Sequence, residues 1–300
     1  VTVEQRIGTW VTSAGYVGTR AIDPQNNIQM NWGPIGAGTA GEILNQLTGR
    51  TASTQLLGTL GTNTYDALQA RAQRRFADSY SIAVSYTFGK ALGYATTPAV
   101  AIPQYYRLNR GPVAQDINHN LAVTSVWELP FGKGKRFAQN GVASRIIGGW
   151  QLSSVVSAYS GRPFTPTASS ATLNSPNSSQ FADCIGTPQK TGNIFQWYDK
   201  SAFAVPATGR FGTCGTDSLR GPGMVNADLG VERKITFHER FELKFRAEMF
   251  NVANTPHHNI ANSTNANVNN STFLQVTDIV NTGREGIDER DMRFSLRLGW

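Results

Sequence analysis

Charge is what this chain has least of. Only 16% of its 300 residues are Asp, Glu, Lys or Arg, where a soluble domain usually carries about 25%. The 27 Lys plus Arg against 20 Asp plus Glu leave a formal charge of +7. That excess is scattered rather than clustered among aromatics, which argues against a nucleic-acid partner. Long hydrophobic runs are missing too: no stretch of 18 apolar residues occurs, which excludes an ordinary transmembrane helix. A membrane β-barrel is untouched by that exclusion, since its strands need only about 10 alternating residues. Cysteine is limited to Cys184 and Cys214, in a stretch rich in Gly, Ser, Thr and Pro. A metal site would want closely spaced pairs and more ligands, so a loop disulfide in an oxidising compartment is preferred here over two free thiols. The chain begins Val1-Thr2-Val3-Glu4-Gln5, with no initiator Met, basic n-region or apolar h-region, and any secretory signal is expected to lie outside it.

Catalytic signatures are equally scarce. There is no G-x-S-x-G segment for a serine hydrolase and no H-E-x-x-H for a zinc enzyme. Phe131-Gly132-Lys133-Gly134-Lys135-Arg136 is Gly-rich and basic but lacks Walker spacing, and is expected to be a solvated turn within reach of lipid phosphates. His257-His258 has no carboxylate or Cys at ligand spacing and is expected in a surface loop. The expectation is therefore no enzyme, no cofactor and no metal.

What the chain does have is 30 Gly, 6 Trp, 9 Tyr and 15 Phe, with 40% hydrophobic residues. That composition favours strands and turns and opposes disorder. Tyr80-Ser81-Ile82-Ala83-Val84-Ser85-Tyr86-Thr87-Phe88 places a large apolar residue at every even position, the period of a strand with one oily face. Phe241 to Met249 alternates apolar with charged residues throughout. Glu242, Lys244, Arg246 and Glu248 are thus expected to face a lumen, and Phe241, Leu243, Phe245, Ala247 and Met249 to face lipid. Met292 to Trp300 alternates likewise, and weaker strands are predicted at Thr9 to Val17, Tyr65 to Phe76, Leu121 to Leu129, Trp150 to Tyr159 and Val225 to Phe237. That makes about eight.

The connections carry more information than the strands. Ala77-Asp78-Ser79 and His238-Glu239-Arg240 are short, whereas Val17 to Tyr65, Phe88 to Leu121, Tyr159 to Val225 and Met249 to Met292 are each separated by more than 30 residues, and Pro130 to Gly149 is intermediate. A soluble sandwich has no reason to gather its long loops at one end. An outer-membrane barrel has short periplasmic turns and long extracellular loops. On that orientation Tyr80, Trp127, Trp150, Phe241 and Trp300 fall near the periplasmic ends as an aromatic girdle. Two basic clusters, Arg71, Arg74, Arg75 and Lys133, Lys135, Arg136, lie at the same end, either meeting acidic lipid or keeping the turns in water. Arg110-Gly111-Pro112 and Arg220-Gly221-Pro222 each precede a descending strand, and are either devices that lead the chain into a hairpin or a chance recurrence.

From Tyr65 to Trp300 the segments Tyr65-Asp66-Ala67-Leu68-Gln69, Ser85-Tyr86-Thr87-Phe88-Gly89-Lys90, Asn109-Arg110-Gly111-Pro112, Trp127-Glu128-Leu129-Pro130-Phe131-Gly132-Lys133-Gly134-Lys135-Arg136-Phe137, Gly148-Gly149-Trp150-Gln151-Leu152-Ser153, Ser160-Gly161-Arg162-Pro163-Phe164 and Phe245-Arg246-Ala247-Glu248-Met249-Phe250-Asn251 occur in order. In order and spacing they resemble the carboxypeptidase-regulatory-like, Oar-like branch of the TonB-dependent receptors of Gram-negative outer membranes. The resemblance implies a 22-stranded barrel with an N-terminal plug that imports a ligand with energy from the inner membrane. Here no plug and no TonB-contacting segment are recognisable, so residues 1–300 are expected to be the C-terminal barrel part of a longer receptor, engaging the TonB system through a region not present. The last strand resembles the signal read by the barrel-assembly machinery, carried by Phe294, Leu296, Leu298 and Trp300. The ligand is unknown from sequence. The competing readings are a complete eight-stranded structural or adhesin barrel and a secreted lectin-like β-sandwich.

Overall fold

The computed structural model describes residues 1–95, 98–237, 241–259, 263–279 and 289–300. Nine long strands form one antiparallel meander, each paired with its neighbour in the chain: β1 Thr2–Ile7, β2 Trp10–Ile22, β3 Thr62–Ala77, β4 Tyr80–Tyr94, β5 His119–Glu128, β6 Trp150–Tyr159, β7 Met224–Phe237, β8 Phe241–Phe250 and β9 Asp291–Gly299. A three-residue strand, Arg110–Pro112, adds to β4. The fold is all-β, and no helix among the described residues is long and apolar enough to cross a membrane.

The eight expected strands are all present, and β1 is an addition. Its pattern is weak, since Gln5 interrupts Val3 and Ile7, and it exists by pairing with β2 from Thr2↔Gly15 to Ile7↔Trp10. The turn expected at Ala77-Asp78-Ser79 joins β3 to β4, with Asp78 and Ser79 both at positive φ. The turn expected at His238-Glu239-Arg240 lies outside the described residues.

Register settles which side chains share a face, because residues opposite one another in an antiparallel ladder point the same way. One face carries Leu68, Val84, Tyr86, Val123, Leu152, Val156, Val231, Phe245 and Leu296, linked strand to strand by the pairing. Among the polar residues on it, Ser125 and Ser154, opposite each other, share a hydrogen bond of 2.8 Å. Among the described residues no second sheet packs on this face. Phe294 and Leu296 stay 69% and 68% exposed. Each such side chain costs roughly 1.5–3 kcal/mol to leave in water, so the face requires an apolar surrounding. That disposes of the lectin-like sandwich, whose inner faces would bury each other.

The other face is polar and charge-paired. Lys234 and Lys244 stand directly opposite each other, an arrangement unfavourable by itself. Diagonal carboxylates relieve it, Glu232 at 2.8 Å from Lys244 and Glu242 at 4.0 Å from Lys234. Arg246 pairs with Glu248 at 2.6 Å.

The sheet does not close. Among the described residues β1 and β9 do not pair with each other. Strands β2, β3, β4 and β7 run to 13, 16, 15 and 14 residues, beyond the 9–11 or so that cross a bilayer. The surplus lies toward the long connections, where Asp66 and Lys90 occupy the otherwise apolar face and Asp66 accepts a hydrogen bond from the Tyr16 hydroxyl.

Candidate functional site

The hydrophobic core of this protein is not in its sheet but in the connections at one end of it. Val100, Ile102, Leu173, Phe181 and Phe211 form one buried cluster, against which Trp32, Ile35 and Leu108 pack. A second is built from Phe164, Tyr198, Phe203, Leu219, Phe273 and Leu274 with their neighbours. These residues come from the described parts of the connections between the long strands, within 23–61, 98–118, 160–223 and 251–279, which together make a packed cap. The loop that holds Cys184 and Cys214 thus has a packed core of its own.

Inside the cap the segments are short and interlocked. Two-residue strands pair Pro163–Phe164 with Leu219–Arg220, Thr167–Ala168 with Gln180–Phe181 and Asp183–Cys184 with Phe203–Ala204. Cys184 and Cys214 form a disulfide, with their Cα atoms 5.0 Å apart. Beside it the Asp183 carboxylate accepts from Arg210 Nη1 at 2.8 Å and from the Thr213 amide at 3.0 Å. The Arg210 hydrogen bond is the main reason the Asp183 carboxyl lies below the ordinary carboxylate range, and it outweighs the opposing effect of burial. Asp217 behaves oppositely: burial raises it, although the Thr165 hydroxyl donates to it at 3.0 Å.

The cap is bolted to the sheet by the repeated tripeptides. Arg220 donates to the Asp116 carboxylate through Nη2, and through Nη1 to the Asp116 carbonyl at 3.0 Å and the Gly161 carbonyl at 3.2 Å. Asp116 in turn accepts from the Ala91 amide of β4 at 2.6 Å. Gly111 of the first tripeptide is there for close approach, since a Cβ on it would sit 2.3 Å from the Thr216 carbonyl oxygen, and beside the second a Cβ on Gly161 would sit 1.9 Å from the Gly221 carbonyl oxygen. Both tripeptides thus pack where the cap meets strand ends.

On the cap lies an open cleft of about 710 Å³, lined by Thr167, Ser170, Ser178, Gln180, Asn267 and Asn269 among others, with hydroxyls and amides but no charged side chain. Its floor is firm, since Gln180 is 1% exposed and donates to Thr172 Oγ1 at 3.0 Å and to the Arg210 carbonyl at 2.8 Å. Nothing in the sequence singled out these residues, because Ser, Thr and Asn are as common in loops that bind nothing.

The remaining sequence candidates fall elsewhere. Glu242, Lys244, Arg246 and Glu248 share the polar face, and Phe294, Leu296 and Leu298 share the apolar one, with Trp300 beyond the last ladder pair and 88% exposed. Tyr80 pairs with Trp127 at the short-turn end, Trp150 faces Arg233, and Phe237 stacks on Phe241 at 5.6 Å. Arg74, from the first basic cluster, is 5% exposed and lies 3.7 Å from the Tyr80 ring centroid, with Asp78 at 2.6 Å. His257, expected in a surface loop, is buried, with Nε2 3.1 Å from the Val225 carbonyl oxygen. No group of three or more potential metal-ligating side chains occurs among the described residues.

With one amphipathic antiparallel sheet and its loop cap in view, comparison with known families is decisive: residues 1–292 match the model of the outer membrane beta barrel domain. The chain belongs to that family. The barrel domain accordingly resides in the outer membrane of a Gram-negative bacterium. No curated protein matches it. Among solved structures it is similar to FpvA of P. aeruginosa in the FpvA-Pvd(ATCC13535)-Fe complex, at 10% identity and a TM-score of 0.46. The match covers 99% of this chain and 26% of that one, so the barrel domain spans about a quarter of the length of that protein.

Proposed function

We propose that the barrel domain is part of the wall and surface cap of a larger outer-membrane receptor that binds a ligand at the cell surface and imports it, in the TonB-dependent manner of the Oar-like receptors its sequence resembles. The observation that carries this reading is the pairing of a packed, disulfide-tied cap with a sheet left open on both sides. Among the described residues the edges at β1 and β9 are unpaired and expose backbone groups that lipid cannot satisfy, which supports a wall completed by further strands. A cap with its own core costs more sequence than a wall needs, and its uncharged polar cleft is suited to hold a solute. On this reading the protein is not an enzyme, the polar face lines the passage, and the barrel-assembly machinery recognises the last strand.

Growth of a strain lacking the full-length gene, compared with strains carrying the wild type or the cleft variant Gln180→Leu/Asn267→Leu, tests it on a panel of neutral oligosaccharides as carbon sources and ferric chelates as iron sources. Import predicts a defect on at least one nutrient, reproduced by loss of TonB. Normal growth on the whole panel combined with detergent sensitivity of the envelope would instead indicate a structural barrel.

A further inference from the structure

The connection between β5 and β6, at the end opposite the cap, has a feature that the barrel wall does not need. Residues 129–149 contain Lys133, Lys135, Arg136 and Arg145 and no acidic residue. Within them Gly141–Ile147 is an α-helix. Val142, Ile146 and Ile147 on it are 71%, 60% and 42% exposed. At about 100° per residue these three and Ala143 fall within an arc of roughly 140°, with Ser144 and Arg145 on the other side. The helix is therefore amphipathic, yet its apolar stripe is turned away from the protein.

Its attachment shows where that stripe lies. The Trp150 indole donates to the Ile146 carbonyl at 3.2 Å, and Arg233 donates to the Arg145 carbonyl. Arg233 also stands over the Trp150 ring at 5.3 Å. Trp150 and Arg233 face each other in the β6–β7 ladder and belong to the apolar face, since Trp150 meets Phe245 edge-on at 6.2 Å. The helix is thus tied by both ends of one aromatic–cation pair to the side of the sheet that needs apolar surroundings, so its stripe continues that surface. Lys135 is engaged by Glu128 at 2.6 Å. Lys133, Arg136 and Arg145 are exposed, and Arg136 lies 5.4 Å over the ring of Phe137, itself 49% exposed.

We infer that residues 129–149 form an interfacial anchor on the periplasmic leaflet of the outer membrane, with Val142, Ile146 and Ile147 at the acyl boundary and Lys133, Arg136 and Arg145 against the phosphates of anionic phospholipid. Exposed apolar residues on a short helix, preceded by a cation-rich loop and tied to a lipid-facing wall, are what such a surface recognises. The short-turn end of a barrel faces the phospholipid leaflet, which supplies both chemistries at once.

The test uses the full-length protein in vesicles of phosphatidylethanolamine with phosphatidylglycerol, and in vesicles of phosphatidylcholine alone. Single cysteines at positions 142, 144, 146 and 147, with the native disulfide kept, carry spin labels whose collision with oxygen and with a water-soluble nickel chelate is measured. A label at Leu296 reports separately whether the wall meets lipid. The anchor predicts several-fold higher oxygen-to-nickel accessibility at 142, 146 and 147 than at 144. It also predicts a deeper position in the anionic vesicles, a difference abolished by Lys133→Gln/Arg136→Gln/Arg145→Gln. Nickel access at all four positions would overturn the inference, as would shielding from both reagents, which would mean that protein covers the helix. Equal depth in the two vesicles would overturn the headgroup assignment.

Discussion

Asp116 and Arg220 lie 104 residues apart in sequence and form an ion pair in which the Asp116 side chain is 1% exposed and the Arg220 side chain 21% exposed. The pair joins the cap to β4, because the second carboxylate oxygen of Asp116 takes the Ala91 amide. Removing one partner from a buried pair costs about 3–5 kcal/mol, since the other charge is left desolvated. Arg220→Ala should therefore loosen the cap, measured as faster hydrogen exchange through 160–223, with the exchange of β8 unchanged. Equal protection of the cap in mutant and wild type would show that the bolt is dispensable.

The disulfide between Cys184 and Cys214 closes a segment of 30 residues. By the chain-entropy model it contributes about 3–4 kcal/mol. Because the cap also has two packed cores, Cys184→Ala/Cys214→Ala should sensitise the cap to protease without preventing membrane insertion, which heat-modifiable gel migration reports. Loss of insertion would mean that the cap must form before the wall.

The cap should also weaken in acid, through Asp183. Its folded pKa is depressed by Arg210 from an ordinary 3.8, so the stability it contributes is present above the unfolded value and is lost as pH falls from there through the lower folded value. Half-buried Asp217 is raised and works in the opposite sense. Asp183→Asn should remove part of the acid sensitivity of cap protection in hydrogen exchange, and Asp217→Asn should not. An unchanged pH profile in Asp183→Asn would assign the acid response to other groups.

The sheet was legible in sequence because its information is local. In β8 every second residue from Phe241 to Met249 is apolar, and the ladder places those residues on one face. β1 was not legible, since a six-residue strand with Gln5 on its apolar side has too little pattern to be seen without its partner. The cap was hidden for a different reason. Asn174 donates to the Gly36 carbonyl and Asn177 to the buried Glu42 across 138 and 135 residues, and its paired strands are mostly two residues long, too short for any periodicity. The RGP tripeptides and the two cysteines were visible as sequence features. What they fasten was not.

Strand β9 offers a test of assembly. Phe294, Leu296 and Leu298 share the apolar face with Ala247, Phe245 and Leu243, and Phe294→Ser/Leu296→Ser in the full-length protein should lower the amount assembled in the outer membrane. Lys244→Ser, on the other face, should leave assembly unchanged. It should cost about 1 kcal/mol or less, since Glu232 loses one partly exposed partner. Normal surface display of the double mutant would argue against the last strand as the recognition element.

The two faces of β8 provide the most direct test of the whole account. Phe245 stands between Arg233 and Leu296, and because Arg233 also holds the interfacial helix, Phe245 lies toward the periplasmic interface, where Phe245→Arg should cost about 1 kcal/mol or less. A water-soluble protein would also resist that change, so stability alone does not decide. Fluorophores on single cysteines at 243, 244, 245 and 246 do, in the full-length protein reconstituted with lipids carrying a quencher along their acyl chains. The account predicts strong quenching at 243 and 245, and at 244 and 246 weak quenching with access to aqueous reagents. Uniform quenching, or none at 243 and 245, would contradict the lipid-facing wall.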